Sequence, residues 1–437
     1  MERVVQSKAL RVFIVIVVIA IILGVGYSFW QIVAELAQSR STPRHNLPVD
    51  HTIPPAPTYE KTEQHTVSTQ TPTYEFKKTT KPEWGPQMLM ASSTIFGGVE
   101  VTSNIVHFIW ASGNHKIMYR RSTDNGESWS MGVVIASGNE VPLTDPIASD
   151  GSTLHIIYKR EGNLFYRRSL DEGLTWDRET LLMSGEPGFR FSITASDSSV
   201  HLVWSYPLDA GGGSYYRRSI NNGLIWEPRI QLVQDGQGGS RTQLASFGNT
   251  VHMAWFDAAG YPSCSVGKFS FKSCPEIYYR RSLDNGKDWE PAIRISSDPA
   301  VSIRPELVAL DSNLLVMTWT HFESNSFYIY TASSKDNGVT WSIPQQISST
   351  GGADPHPVSE GKGSSVHLMW QDDRDGNQEI YYRISADGGK TWSKEERVTI
   401  SDKLNTMADI AATQKYAHLV YTEGSDMYYR RRTLDTK

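Results

Sequence analysis

The phrase RRSLDNGKDW at residues 280–289 has close copies along the whole chain. RRSTDNGESW spans 120–129, RRSLDEGLTW 167–176 and RRSINNGLIW 217–226. ASSKDNGVTW follows at 332–341 and RISADGGKTW at 383–392. A pattern Ser-x-Asp-x-Gly-x-x-Trp that returns at intervals of roughly 50 residues demands a repeat architecture. Each copy has the same surroundings. A run such as VHFIW (106–110), VHLVW (200–204) or VHLMW (366–370) comes first, and a second run ending in Tyr-Arg-Arg-Ser or its equivalent follows. Another short run follows each Trp, as in IRIS (293–296), and one more precedes each VHxxW, as in SITAS (192–196). These are β-branched and aromatic runs joined by turns, with no helical periodicity. Four short strands per period predict an all-β fold whose repeats are propeller blades.

The phrase itself reads as the turn between the third and fourth strands. Its Asp or Asn accepts backbone N–H groups within the turn, and Gly supplies a positive φ. The hydroxyl adds a local bond and Trp covers the turn. Asp124, Asp171, Asn221, Asp284, Asp336 and Asp387 are therefore assigned structural work.

Ser-x-Asp-x-Gly-x-Thr-Trp resembles the Asp box (BNR repeat) of the sialidase-like β-propellers, over residues 83–437. That resemblance implies six blades. This chain carries a further pair of runs, AHLVY (417–421) and DMYYRRRTLD (426–435), and ends before another box is complete. Trp84 and GPQMLMAS (85–92) look like a fourth strand standing alone at the front. Laid beside 426–432, that strand closes a seventh blade and leaves no open edge. The expectation is seven blades, with six as the alternative.

Upstream of this region, Val12–Trp30 carries no charge and follows Arg3, Lys8 and Arg11. Its helical length of about 28 Å suits a bilayer core. The flanking cations put residues 1–11 in the cytoplasm and the propeller outside, as a single-pass membrane protein with a signal anchor at 12–30. A cleaved signal peptide is the rival, with an apolar region of about 7–15 residues and a small-residue cleavage site. Residues 31–82 form a linker rich in Thr and Pro that cannot bury a core. Cys264 and Cys274 are the only cysteines. A bridge between them would suit an oxidising exterior.

Three inner strands carry Arg near their starts: Arg190, Arg241 and Arg304. Asp145 and His356 fall near the same level, and Glu306 lies two residues beyond Arg304. Guanidiniums converging at a channel mouth bind carboxylate, sulfate or phosphate. The resemblance also implies an exo-glycosidase with a Tyr–Glu nucleophile pair and an Asp acid. Spacing pairs none of the candidates, and the first inner strand lacks the family's early arginine motif. No catalytic set is assigned. The favoured reading is a cell-surface propeller that binds an anionic glycan or polymer; the alternatives are a sialidase-type glycosidase and a scaffold for a surface protein. A net charge of −5 argues against nucleic acid.

Three further features have structural readings beside functional ones. The paired arginines of the third strands (120–121, 167–168, 217–218 and 280–281) read as ion pairs. The histidines of VHxxW (His107, His201, His252 and His367) read as packing between blades. QDDRDGNQE (371–379) sets Asp373, Asp375, Asn377 and Glu379 around Gly376, which reads as a calcium loop or a polar hairpin turn. No other cofactor is expected.

Overall fold

The computed structural model describes residues 84–434, except 114, 139, 142–145, 186–189, 207–211, 235–239, 258–263, 267–268, 272–273, 297–300, 324–325 and 350–356. The segment 12–30 lies outside the described residues, among which no helix is long and apolar enough to cross a membrane. Seven antiparallel sheets follow one another around a ring. The inner strands are Thr94–Thr102, Ile147–Asp150, Arg190–Ser196, Ser240–Phe247, Val301–Ala309, Val358–Lys362 and Asn405–Ala412. Each second strand is an almost unbroken buried run, Ser199–Ser205 for example. Sheets stacked face to face cover both sides of these strands, which is why VHLVW is not an alternating pattern.

The seventh sheet joins both ends of the described chain. Met88–Ala91 is its outer strand, with Met88 opposite Tyr429 on Asp426–Thr433. Trp84 bridges to Arg432, and the Gly85 N–H donates to the Arg431 carbonyl at 2.8 Å. The same bond joins Asp177 to Arg168 and Glu227 to Arg218, each one residue past a box Trp. Trp84 is therefore the box Trp of blade seven, supplied from the other end of the chain.

The boxes hold together as the sequence predicts. Asp171 Oδ1 accepts the Thr175 N–H at 2.8 Å, and Ser169 Oγ accepts the Gly173 N–H at 2.8 Å. Asn221 does the same work, with Oδ1 accepting the Ile225 N–H at 2.8 Å. The hydrogen bonds hold the box carboxyls of Asp171, Asp284, Asp336 and Asp387 below the usual range, against the opposing effect of burial.

The histidines do more than pack. His107, His155, His201, His252, His367 and His418 each bond through Nδ1 to a Tyr hydroxyl of their own blade, at 2.6–2.8 Å. Each of those Tyr rings meets the Trp of the next blade's box edge-on, with centroids 5.0–5.2 Å apart. The junction is thus a relay, His to Tyr within a blade and Tyr to box between blades.

The paired arginines make the expected ion pairs through their second member, and both members also bond to carbonyls of neighbouring blades. The second of each pair reaches forward: Arg168 and Arg218 donate to the Asn222 and Asn285 carbonyls of the next box at 2.6 and 2.7 Å. The first reaches backward: Arg217 and Arg280 donate to the Leu182 and Leu232 carbonyls of the preceding outer strand, both at 2.6 Å. Carboxylates pair with the second arginine, as in Arg218–Glu227 at 2.8 Å. Carbonyl acceptors fix position without a second buried charge, which a tightly stacked seam favours.

Candidate functional site

The inner strands surround a channel of about 520 Å³. On the blades that carry the candidate arginines its lining begins at Ser192, Gln243 and Glu306, two residues beyond Arg190, Arg241 and Arg304. The arginines stand just above the channel, at the end of the ring opposite the boxes. The boxes occupy the other end, since their N–H groups bond to the turns between first and second strands, Asn222 to Ser198 at 2.7 Å for example.

The three arginines are not equivalent. Arg190 pairs directly with Ser205, one step beyond the Trp204–Phe191 pair. Arg241 and Thr242 lie between the Ser240–Phe256 and Gln243–Ala254 pairs, in a bulge. Arg304 and Pro305 form the matching bulge between Ile303–Thr320 and Glu306–Thr318. Equal spacing to Trp204 and Trp255 gives Arg190 and Arg241 different levels, because the bulge absorbs one residue. Both bulge arginines have a left-handed backbone, with φ of 45° and 57°. That region costs a side-chain-bearing residue about 1–2 kcal/mol. Such strain persists where the surroundings over-determine it, and it gathers at functional sites.

Burial separates them further. Arg304 is 1 % exposed, while Arg190 and Arg241 are half-buried. Gln243 Nε2 donates to both carboxylate oxygens of Glu306 at 3.0 Å across the blade junction. Asp145 and His356 lie outside the described residues.

The channel below is acidic. Glu100, Glu306, Glu360 and Asp409 line it, and among the described residues no Lys or Arg does. Asp409 Oδ2 accepts the Val99 N–H at 2.8 Å, and Glu100 Oε1 accepts Ser149 Oγ–H at 3.1 Å. These bonds tie blade seven to blade one and blade one to blade two. Sequence reasoning named only Glu306 of this set. Its signal was the polar residues of the inner strands, visible only once the register is known.

The side chains of Asp375, Asn377 and Glu379 in 371–379 are engaged with protein partners. Asp375 pairs with Arg397 at 2.8 Å. Asn377 Nδ2 donates to the Ser401 carbonyl at 3.0 Å. Buried Glu379 accepts Arg397 at 2.9 Å, the Ser401 N–H at 2.9 Å and Asn405 Nδ2 at 3.0 Å. The Asp373 carbonyl accepts the Gly376 N–H at 2.9 Å, which makes the segment a turn. Among the described residues no group of three His, Cys, Asp or Glu is arranged to hold a metal ion. Cys274 is buried beside the start of Glu276–Ser282, and no described cysteine is free. The Cys264 side chain lies outside the described residues.

The profile of the BNR repeat-like domain family matches residues 215–435. No curated protein matches the sequence. Among solved structures, an ulvan lyase from a new polysaccharide lyase family aligns over 79 % of this chain and 95 % of its own, with a TM-score of 0.56 and 9 % identity. The polysaccharide lyase Uly1 aligns over 85 % and 94 %, with a TM-score of 0.51 and 10 % identity. A Hadza microbial sialidase covers 75 % and 77 %, with a TM-score of 0.46 and 14 % identity. At these identities the likeness is one of fold.

Proposed function

This chain belongs to the BNR repeat-like family, and from that premise we propose that its propeller binds an anionic glycan across the end of the ring where Arg190 and Arg241 stand. The carrying observation is the pair of matched bulges that hold Arg241 and Arg304 in a left-handed backbone. Arg190 and Arg241 are the ligand contacts. Arg304, being buried, positions the mouth from beneath. The ligand lies across the mouth and does not thread the channel, because four carboxylates below would repel it. The similar ulvan lyase has also been solved bound to -[GlcA(1-4)Rha3S]-, a glycan with carboxylate and sulfate groups, and this supports an acidic polysaccharide as ligand.

Titration with a sulfated, uronate-containing polysaccharide tests the reading. Arg190→Ala and Arg241→Ala are each expected to weaken binding by about 1.5–3 kcal/mol, the scale of a charge-assisted hydrogen bond. Binding should also weaken as salt rises. Unchanged affinity in both variants would sink the proposal and leave the scaffold reading. Appearance of an unsaturated uronate during the incubation would extend binding to lyase action.

The uncharged stretch 12–30 supports a membrane anchor that holds the propeller outside the cell, with Cys264 bridged to Cys274. Thiol labelling of intact cells is expected only after reduction. Labelling without reduction would remove the bridge.

A further inference from the structure

The box turns inward nearly everything it has. In blade two, Ser169 is buried, the Asp171 oxygens accept bonds within the turn, and Gly173 abuts Tyr119. Only the second and sixth positions, and in part the seventh, are left to face solvent. The bonding within the turn does not need their side chains, and blade one fills the second and sixth with Thr123 and Glu127. Blades two and three fill them with aliphatics: Leu170 and Leu174, then Ile220 and Leu224, with Ile225 at the seventh. Leu174, Leu224 and Ile225 are 65 %, 63 % and 66 % exposed, too much for any of them to serve the core. Around the same circle Lys287, Lys335 and Lys390 occupy second or sixth positions and are also exposed. The acids at these positions are Glu127, tied to Arg431 at 2.9 Å, and Asp288, the seventh residue of the blade-four box and the neighbour of Lys287.

Aliphatic side chains with lysines on one rim are the chemistry of an interfacial contact with anionic lipid. The chain itself supplies the second argument. It enters the ring through Trp84, at the place of a box Trp, so the sequence leading from 12–30 arrives at this same end. We propose that the box end of blades two to five rests on an anionic bilayer, the one into which 12–30 inserts, with the arginine mouth facing away. The proposal rests on the anchor reading given above.

The test uses the full chain, reconstituted into vesicles of phosphatidylcholine with or without phosphatidylserine. A protease then cuts the 31–82 linker, and the vesicles are floated. The released propeller is expected to stay with the phosphatidylserine vesicles about tenfold more than with phosphatidylcholine alone. The double variant Leu174→Glu and Leu224→Glu should leave both, with its thermal unfolding unchanged. A wild-type propeller that leaves phosphatidylserine vesicles as fully as the variant overturns the proposal. So does a released propeller that forms a dimer which the variant cannot form, since the patch would then serve a second copy. Uncut protein that fails to float would refute the anchor instead. The propeller, added to preformed vesicles, would still test the surface.

Discussion

Lowering the pH from 7 to 5.5 is expected to remove on the order of 5–8 kcal/mol of stability, most of what a domain ordinarily has. Six histidines are the reason. Burial first, and then a nearby arginine, lowers each of them from 6.5 to about 3. In the unfolded chain they regain ordinary values and take up protons that the folded state refuses. The stability is therefore complete above about pH 6.5 and falls progressively as the pH drops from 6.5 toward 3. Each such histidine contributes up to about 1.4 kcal/mol per pH unit within that window. Denaturant titrations at pH 7, 6 and 5.5 measure it. His252→Gln should flatten the slope by close to one proton, because Gln keeps a polar partner for Tyr279 without titrating. Stability that does not change over this range would mean that the histidines are not buried neutral. The box aspartates, whose values are lowered, add a separate loss only at more acid pH.

Gly286→Ala is expected to destabilise by about 2–4 kcal/mol, combining left-handed strain with overpacking. Its φ is 77°, and an added Cβ would stand 1.8 Å from the Tyr216 hydroxyl. That Tyr cannot swing away, because His201 holds the hydroxyl at 2.6 Å and Trp289 packs against the ring. Gly151→Ala is the control. Its φ of 59° imposes similar strain, yet nothing lies within 4 Å of the new Cβ. It should cost about 1 kcal/mol. Equal losses in the two variants would reduce the box glycine to its backbone conformation and remove the neighbouring Tyr from the account.

The blades were legible because a repeated turn carries its own chemistry. Ser282, Asp284 and Gly286 specify the box without help from distant residues. The seventh blade was legible from Trp84, a box Trp with no box before it. The levels of the arginines were not. A bulge is a property of two paired strands, and Arg190 and Arg241 have identical spacing to their Trp residues although only one lies in a bulge. The partners of 371–379 were hidden for a related reason. Arg397, which engages Asp375 and Glu379, belongs to the outer strand beyond the next box. The aliphatics at the second and sixth box positions could have been read from the sequence. Aligning the boxes with one another separates the duty positions from the idle ones.

The shared seventh sheet gives the protein a schedule. Arg430 donates to the Gly85 carbonyl, 345 positions earlier in the chain. On a flexible-chain estimate, bringing such distant partners together costs about 5 kcal/mol of entropy. A growing chain makes its closing strand before any other strand of the ring and must keep it waiting until Asp426–Thr433 has been made. Until then the edge of Met88–Ala91 is an unpaired template for any strand nearby. A chain cut short before residue 426 can stack six blades but has nothing to fasten them with, so such truncations should yield aggregates and not slightly weakened propellers.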